Sequence, residues 1–132
     1  MIYFTIHHRV TITTTSEVRM PKTVFIAHPM SGDIESNTEK VVAICRSIHS
    51  EEVIPVFPSF TTRRYLTSDP KDRKLAEVHI LEYFRRGFID ELWLYGDLIT
   101  DGMWREIKTA GENGVLVIAM TEETKSALSK AN

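Results

Sequence analysis

The chain holds a single cysteine, Cys45, so no intrachain disulfide can form. That scarcity suits a reducing compartment, and a cytoplasmic location is expected. Six glycines and five prolines are too few for a linker-rich or low-complexity chain. No apolar run approaches the roughly 20 residues that a membrane span needs. The N-terminus lacks the charged start and apolar block of a signal peptide, so no membrane association is expected. Neither sign of charge dominates. A formal net charge of −2 argues against a surface for a nucleic acid polymer and leaves a small anionic ligand open.

What is present is ordinary for one soluble core: 132 residues, 42% hydrophobic and 26% charged. Residues 1–19 stand apart as an N-terminal extension or edge strand, and residues 20–132 read as one domain. In the extension, Tyr3-Phe4-Thr5-Ile6 and Val10-Thr11-Ile12-Thr13 alternate like strands. His7-His8 is a weak metal signal, because adjacent side chains on a strand point to opposite faces. No metal site is expected.

From residue 22 the pattern alternates between strand and helix. Thr23-Val24-Phe25-Ile26-Ala27 is nearly all apolar, as for a central parallel strand covered on both faces. The loop His28-Pro29-Met30-Ser31-Gly32-Asp33 follows. Ser36-Asn37-Thr38-Glu39 reads as a capping box before Val41, Ile44, Cys45 and Ile48 at helical spacing. Val53-Ile54-Pro55-Val56-Phe57 is a short strand whose proline predicts an edge position. Residues 58–69 read as a long polar loop, of the kind that often serves function. Within it Arg63 and Arg64 read as a solvated charge pair, with closure over a phosphate as the alternative.

Asp69-Pro70 predicts a helix start. The expected buried stripe is Leu75, Val78, Leu81 and Phe84, with Gly87 at the helix end. Phe88 to Tyr95 is a third strand. A helix over Met103–Glu112 turns Ile107 and Ala110 inward and is closed by Gly111 and Gly114. Val115-Leu116-Val117-Ile118-Ala119 is a fourth strand, and Thr121 caps a last helix reaching about Lys130. The fold class is therefore α/β: three layers, flavodoxin/Rossmann-like, with a parallel sheet of four to five strands and helices on both faces. Strand order 2-1-3-4 would set the loops 28–33 and 96–102 side by side at the carboxyl edge, where such sheets bind ligands.

The second of those loops carries the most chemistry. Gly96-Asp97-Leu98-Ile99-Thr100-Asp101-Gly102-Met103-Trp104-Arg105-Glu106 joins an apolar strand to a helix. A glycine before a helix start admits a ligand close to the backbone, and the free N–H groups there favour an anion. Glu106 lies on the early turns. His28, in the opposite loop, is a candidate phosphate donor or a turn closer. Asp33 and Ser31 are ligand contacts or helix caps.

Val24 to Gly32, then Asp101-Gly102-Met103-Trp104-Arg105-Glu106-Ile107 and Ala110, resemble the nucleoside 2-deoxyribosyltransferase-like superfamily, in its small phage and bacterial branch. The resemblance covers roughly residues 22–120. It implies an N-glycosidase or deoxyribosyltransferase acting on a nucleoside or nucleotide, with no cofactor. Glu106 would attack the anomeric carbon and form a covalent sugar ester, a role suited to a carboxylate. Asp97 or Asp101 would handle the leaving base or a sugar hydroxyl. Ser31, Gly32, Thr100 and Gly102 would hold a 5′ phosphate or hydroxyl, with His28, Met30, Asp33 and Met103 completing the substrate site. The position of the family's first-strand tyrosine is Phe25 here, and its acidic position after the third strand falls near Tyr95, with Asp97 displaced. A homodimer or higher homo-oligomer is implied. The alternative is a non-catalytic nucleotide-binding or sensing module of the same fold. A phosphoacceptor receiver domain is disfavoured, because the first strand ends in Ala27-His28-Pro29 and the third in Leu94-Tyr95-Gly96, without the acidic groups it needs.

Overall fold

The structure, a computed structural model, describes residues 20–131; the strand and metal readings for residues 1–19 lie outside them. Four strands form one all-parallel sheet in the order β2-β1-β3-β4. They are β1 (Lys22–Ala27), β2 (Val53–Val56), β3 (Glu91–Leu94) and β4 (Leu116–Ala119). This is the order under which the loops after β1 and β3 lie side by side. Pro55 lies in the edge strand β2, where a missing N–H costs least.

Side chains leave β1 alternately to two cores, as the pleat requires. Phe25 and Ala27 join Phe84, Leu92, Leu94, Met103 and Ala110 on one face. Val24 and Ile26 join Val41 on the other, with Ile44, Cys45 and Trp93 packed against them. The first face is covered by α5 (Asp101–Glu112) and the short α4 (Glu82–Arg85), which α3 (Pro70–Ile80) precedes. Helix α1 (Ile34–Ile48) covers the second. Because both faces are sealed, the strands read as apolar runs.

Several boundaries differ from the sequence reading, each for a local reason. The α1 cap is Asp33, whose carboxylate accepts from Ser36 N at 3.0 Å, so Ser36 lies inside the helix and the capping-box reading fails. Residues 58–69 are not one loop: Pro58 leads into a single turn, α2 (Ser59–Thr62), held by Phe60 stacked edge-on against Phe57 at 4.8 Å. The stripe on α3 is rotated by one position. Ala76 is buried and Ile80 packs on the core, while Leu75 and Val78 are exposed. The helix breaks at Leu81 and restarts as α4, which returns Phe84 to the core. β3 begins at Glu91 rather than Phe88, which is exposed. Gly111 sits within α5, and the turn that ends it uses Gly114 at φ +71°. Thr121 caps α6 (Glu122–Ala131), its hydroxyl accepting from Thr124 N at 3.1 Å.

The loops after β1 and β3 converge. Tyr95 N donates to Ala27 O at 2.9 Å, extending the β1–β3 pairing by one residue. Gly96 then turns at φ +96°, with its backbone against the Pro29 ring. A Cβ there would stand 2.5 Å from Pro29 Cδ. Gly96→Ala is expected to destabilise the fold by about 2–4 kcal/mol, combining left-handed backbone strain with overpacking. Denaturant unfolding measures this, and a loss below about 0.5 kcal/mol contradicts the close contact.

Candidate functional site

A cavity of about 550 Å³ opens at the carboxyl edge of β1 and β2, within the range of small-molecule sites. Three segments build it. The loop after β1 supplies His28, Met30 and Ser31; the start of α5 supplies Thr100 to Met103, then Arg105 and Glu106; the stretch from Phe57 to Leu81 supplies the outer wall. The outer wall includes Ser59, Arg63, Arg73, Ala76 and Glu77.

Helix α5 starts here because Thr100, in extended backbone, caps it: its hydroxyl accepts from Met103 N at 3.2 Å. Three residues further on, Glu106 faces the cavity, since positions 102, 103 and 106 share one side of a helix. Glu106 has no hydrogen bond or ion pair with any described residue. The residue is half-buried and its carboxyl opens on the cavity. Desolvation pushes its pKa up to about 8, against a smaller opposing pull from the Arg105 charge. Near neutral pH Glu106 is therefore mostly protonated.

His28 is buried, with Nδ1 2.7 Å from Pro29 O. A carbonyl only accepts, so Nδ1 carries the proton. In the neutral ring Nε2 is then an acceptor without a protein partner among the described residues. Gly102 lies in the helix with no left-handed φ, and a Cβ there would meet nothing nearer than 3.9 Å. The fold does not demand glycine at this position; its absent side chain leaves room in the cavity wall.

Arg105 reaches across the rim to Glu77 on α3, Nη2 to Oε1 3.2 Å. Both partners are about half exposed, so the pair contributes little to stability. It does tie α5 to the outer wall. Arg73 is anchored by its Nε donating to Thr67 O at 2.8 Å, and Asp72 closes the same turn by accepting from Thr67 N at 2.7 Å. The hydrogen bonds from the Thr67 backbone and hydroxyl hold the Asp72 carboxyl below its usual pKa.

Of the residues expected in the substrate site, Glu106, Asp101, His28, Met30, Ser31, Thr100, Gly102 and Met103 all line this cavity. Met103 and Thr100 carry structural duties as well, one in the core and one as the cap. Three expected residues do not line it. Asp97 is exposed on the loop before Thr100, because the chain turns away at Gly96. Asp33 is spent capping α1, and Gly32 forms the turn before it at φ +89°. Phe25 and Tyr95 are absent from the lining too: Phe25 stacks on Phe84 at 4.9 Å and Tyr95 packs on the α1 side. Among the described residues no tyrosine lines the cavity.

The sequence favours a solvated charge pair at Arg63 and Arg64 over closure on a phosphate, and it gives no site role to Ser59, Arg73 or Glu77. Arg64 is indeed exposed, but Arg63 turns into the cavity. The signal for α3 was present: Arg73, Ala76, Glu77 and Ile80 recur at helical spacing and share a face.

The domain is a parallel α/β fold with a mixed-charge cavity at the carboxyl edge of its sheet, the edge at which such folds ordinarily bind small ligands. The chain belongs to the family described as a domain of unknown function, DUF7768, which residues 22–120 match. No curated protein and no solved structure matches it. Among the described residues no helix is long and apolar enough to cross a membrane.

Because the folded-state pKa of Glu106 lies above its ordinary value of 4.5, its neutral form is the one that folding favours. That contribution is complete below pH 4.5 and is lost as pH rises through about 8. Glu106→Gln keeps the shape and removes the titration. Its melting temperature is expected to match wild type at pH 4.5 and to exceed it by about 3 °C or more at pH 8 and above. Thermal unfolding across that range checks the sign; a gain confined to acid pH contradicts it.

Proposed function

We propose that this domain cleaves the base–sugar bond of a nucleoside or nucleotide, as an N-glycosidase or deoxyribosyltransferase with Glu106 as nucleophile. One observation carries the reading: a carboxyl on the first turns of α5, without a hydrogen bond or ion pair among the described residues, facing a cavity large enough for a nucleoside. The resemblance to the nucleoside 2-deoxyribosyltransferase-like superfamily places the nucleophile at this residue. The chemistry balances on these groups. Glu106 Oε attacks the anomeric carbon, the glycosidic C–N bond breaks, and the base leaves with its electron pair and takes up a proton. Water, or a second base, then displaces the carboxylate from the sugar.

Asp101, at the rim of the same cavity, is placed to accept a hydrogen bond from a sugar hydroxyl or from the base. His28, with Nε2 free to accept, is placed to contact a hydroxyl. The reading needs no metal or organic cofactor. Assembly into a homodimer or higher oligomer and a cytoplasmic setting belong to the same proposal.

A second reading, a nucleotide-binding or sensing module without turnover, draws on two further observations. No tyrosine among the described residues lines the cavity beside Glu106, and desolvation holds its carboxyl largely neutral near pH 7. The two readings part in a direct assay. The protein is incubated with a panel of nucleosides and 5′-monophosphates, and free base is separated by chromatography. Base release that Glu106→Ala reduces by at least about 1,000-fold is expected for the loss of a covalent nucleophile. Saturable binding with no release at high protein concentration leaves only the sensing module.

The protonation state supplies a second test. A nucleophile must be ionised, so kcat/KM in the free protein is expected to rise about tenfold per pH unit below about 8 and level off above it. A profile that instead falls above pH 8 would assign Glu106 to proton donation and remove it from the nucleophile role.

A further inference from the structure

Arg63 and Arg73 are charged groups of the cavity that the glycosidase reading leaves unused. Arg63 caps the C-terminal end of α2, where Phe60 pins the turn against Phe57 and brings the guanidinium to the cavity wall. Its Nε is buried and has no hydrogen-bond partner among the described residues. Native interiors rarely leave such groups unsatisfied, and each orphaned donor costs stability.

The nearest charge that acts on Arg63 worsens its position. Arg73 lines the same wall, and burial together with the Arg73 charge lowers the Arg63 pKa. No carboxylate among the described residues forms an ion pair with either arginine. The cavity's own acids are committed or placed elsewhere. Glu77 pairs with Arg105; Asp101 and Glu106 lie on the α5 wall, and Glu106 is held mostly neutral near pH 7. Two guanidinium groups thus share one cavity wall with no ion-pair partner among the described residues. The forked N–H donors of arginine match a tetrahedral oxyanion.

We infer that the α2–α3 corner of the cavity binds the phosphate of a substrate phosphomonoester, with Arg63 as its principal donor and Arg73 as the second cation. This rests on the reading of the cavity as a nucleoside-type site, and it narrows that site to nucleoside monophosphates. Ser59, on the same wall, is placed to add a hydroxyl donor. The phosphate sits opposite Glu106, so the sugar spans the cavity between the cation wall and the carboxyl. An anion bound there satisfies the charge that the empty protein leaves open.

The test compares the affinity of the full chain for four nucleosides, for their 5′-monophosphates, and for ribose 5-phosphate against ribose, by calorimetry at fixed low salt. Glu106→Gln protein is used so that turnover does not interfere. At least one monophosphate is expected to bind ten times or more tighter than its nucleoside, and ribose 5-phosphate tighter than ribose. Arg63→Gln is expected to erase that gap, Arg63→Lys to retain part of it, and Arg64→Gln, at an exposed position, to leave it intact. Arg73→Gln carries the test if Arg63→Gln fails to fold by thermal unfolding.

A gap below tenfold for every pair, including no binding at all, overturns the inference, as does a gap that persists in both folded arginine variants. The chromatographic assay of base release separates this from the wider reading. Base release that is indifferent to the phosphate leaves the glycosidase reading standing without this one. A phosphate-dependent affinity with no base release leaves the phosphate site standing without the glycosidase.

Discussion

Parallel pairing of β1 with β3, continued past the strand ends by Tyr95 N to Ala27 O, forces two loops into van der Waals contact at Gly96 and Pro29. Everything at the carboxyl edge follows from that contact. A side chain at 96 would push the loops apart and carry Thr100 away from His28. With the loops together, Thr100 caps α5 beside the β1 loop, and the first turns of α5 present Glu106 to the space between. Thr121 secures the same loop from the other side, its hydroxyl donating to Gly96 O at 2.8 Å.

The cavity that results has uneven electrostatics. The α5 wall carries carboxyl groups and the α2–α3 wall carries arginines, and only Arg105 and Glu77 neutralise one another across the rim. A closed protein interior ordinarily pairs such groups or excludes them. Here Glu106 keeps its proton, and Arg63 holds a buried donor with no partner among the described residues. Both conditions cost stability. Sites of function commonly hold groups in this destabilised state.

The far end of the sheet shows the contrast. There Asp90 accepts from Thr23 N at 2.8 Å, and Lys22 pairs with Glu91 at 3.0 Å while Trp93 Nε1 donates to the same carboxylate at 2.9 Å. Every charged group in that set has a partner. It serves to fix the starts of β1 and β3, and it offers a ligand nothing unsatisfied.

How much of this was legible in the chain divides along physical lines. The parallel sheet and the edge position of the proline strand follow from alternation, right-handed crossovers and the missing proline N–H, which depend on local pattern and chirality. Eight of the expected site residues line the cavity because they sit on the loop after β1 and around the start of α5, which the strand order sets side by side. The phase of α3 was not legible. Leu75 and Val78 are as apolar as Ile80, and only packing against the sheet decides which of them is buried. Nor was the direction of Arg63, since residues 58–69 carry no periodic signal and a one-turn helix pinned by two phenylalanines turns it inward. The sequence by itself determined the parallel sheet and the carboxylate on α5, because those rest on short-range pattern. Tertiary structure alone decided which charges share a cavity and which lack partners, because that depends on groups far apart in the chain meeting across space.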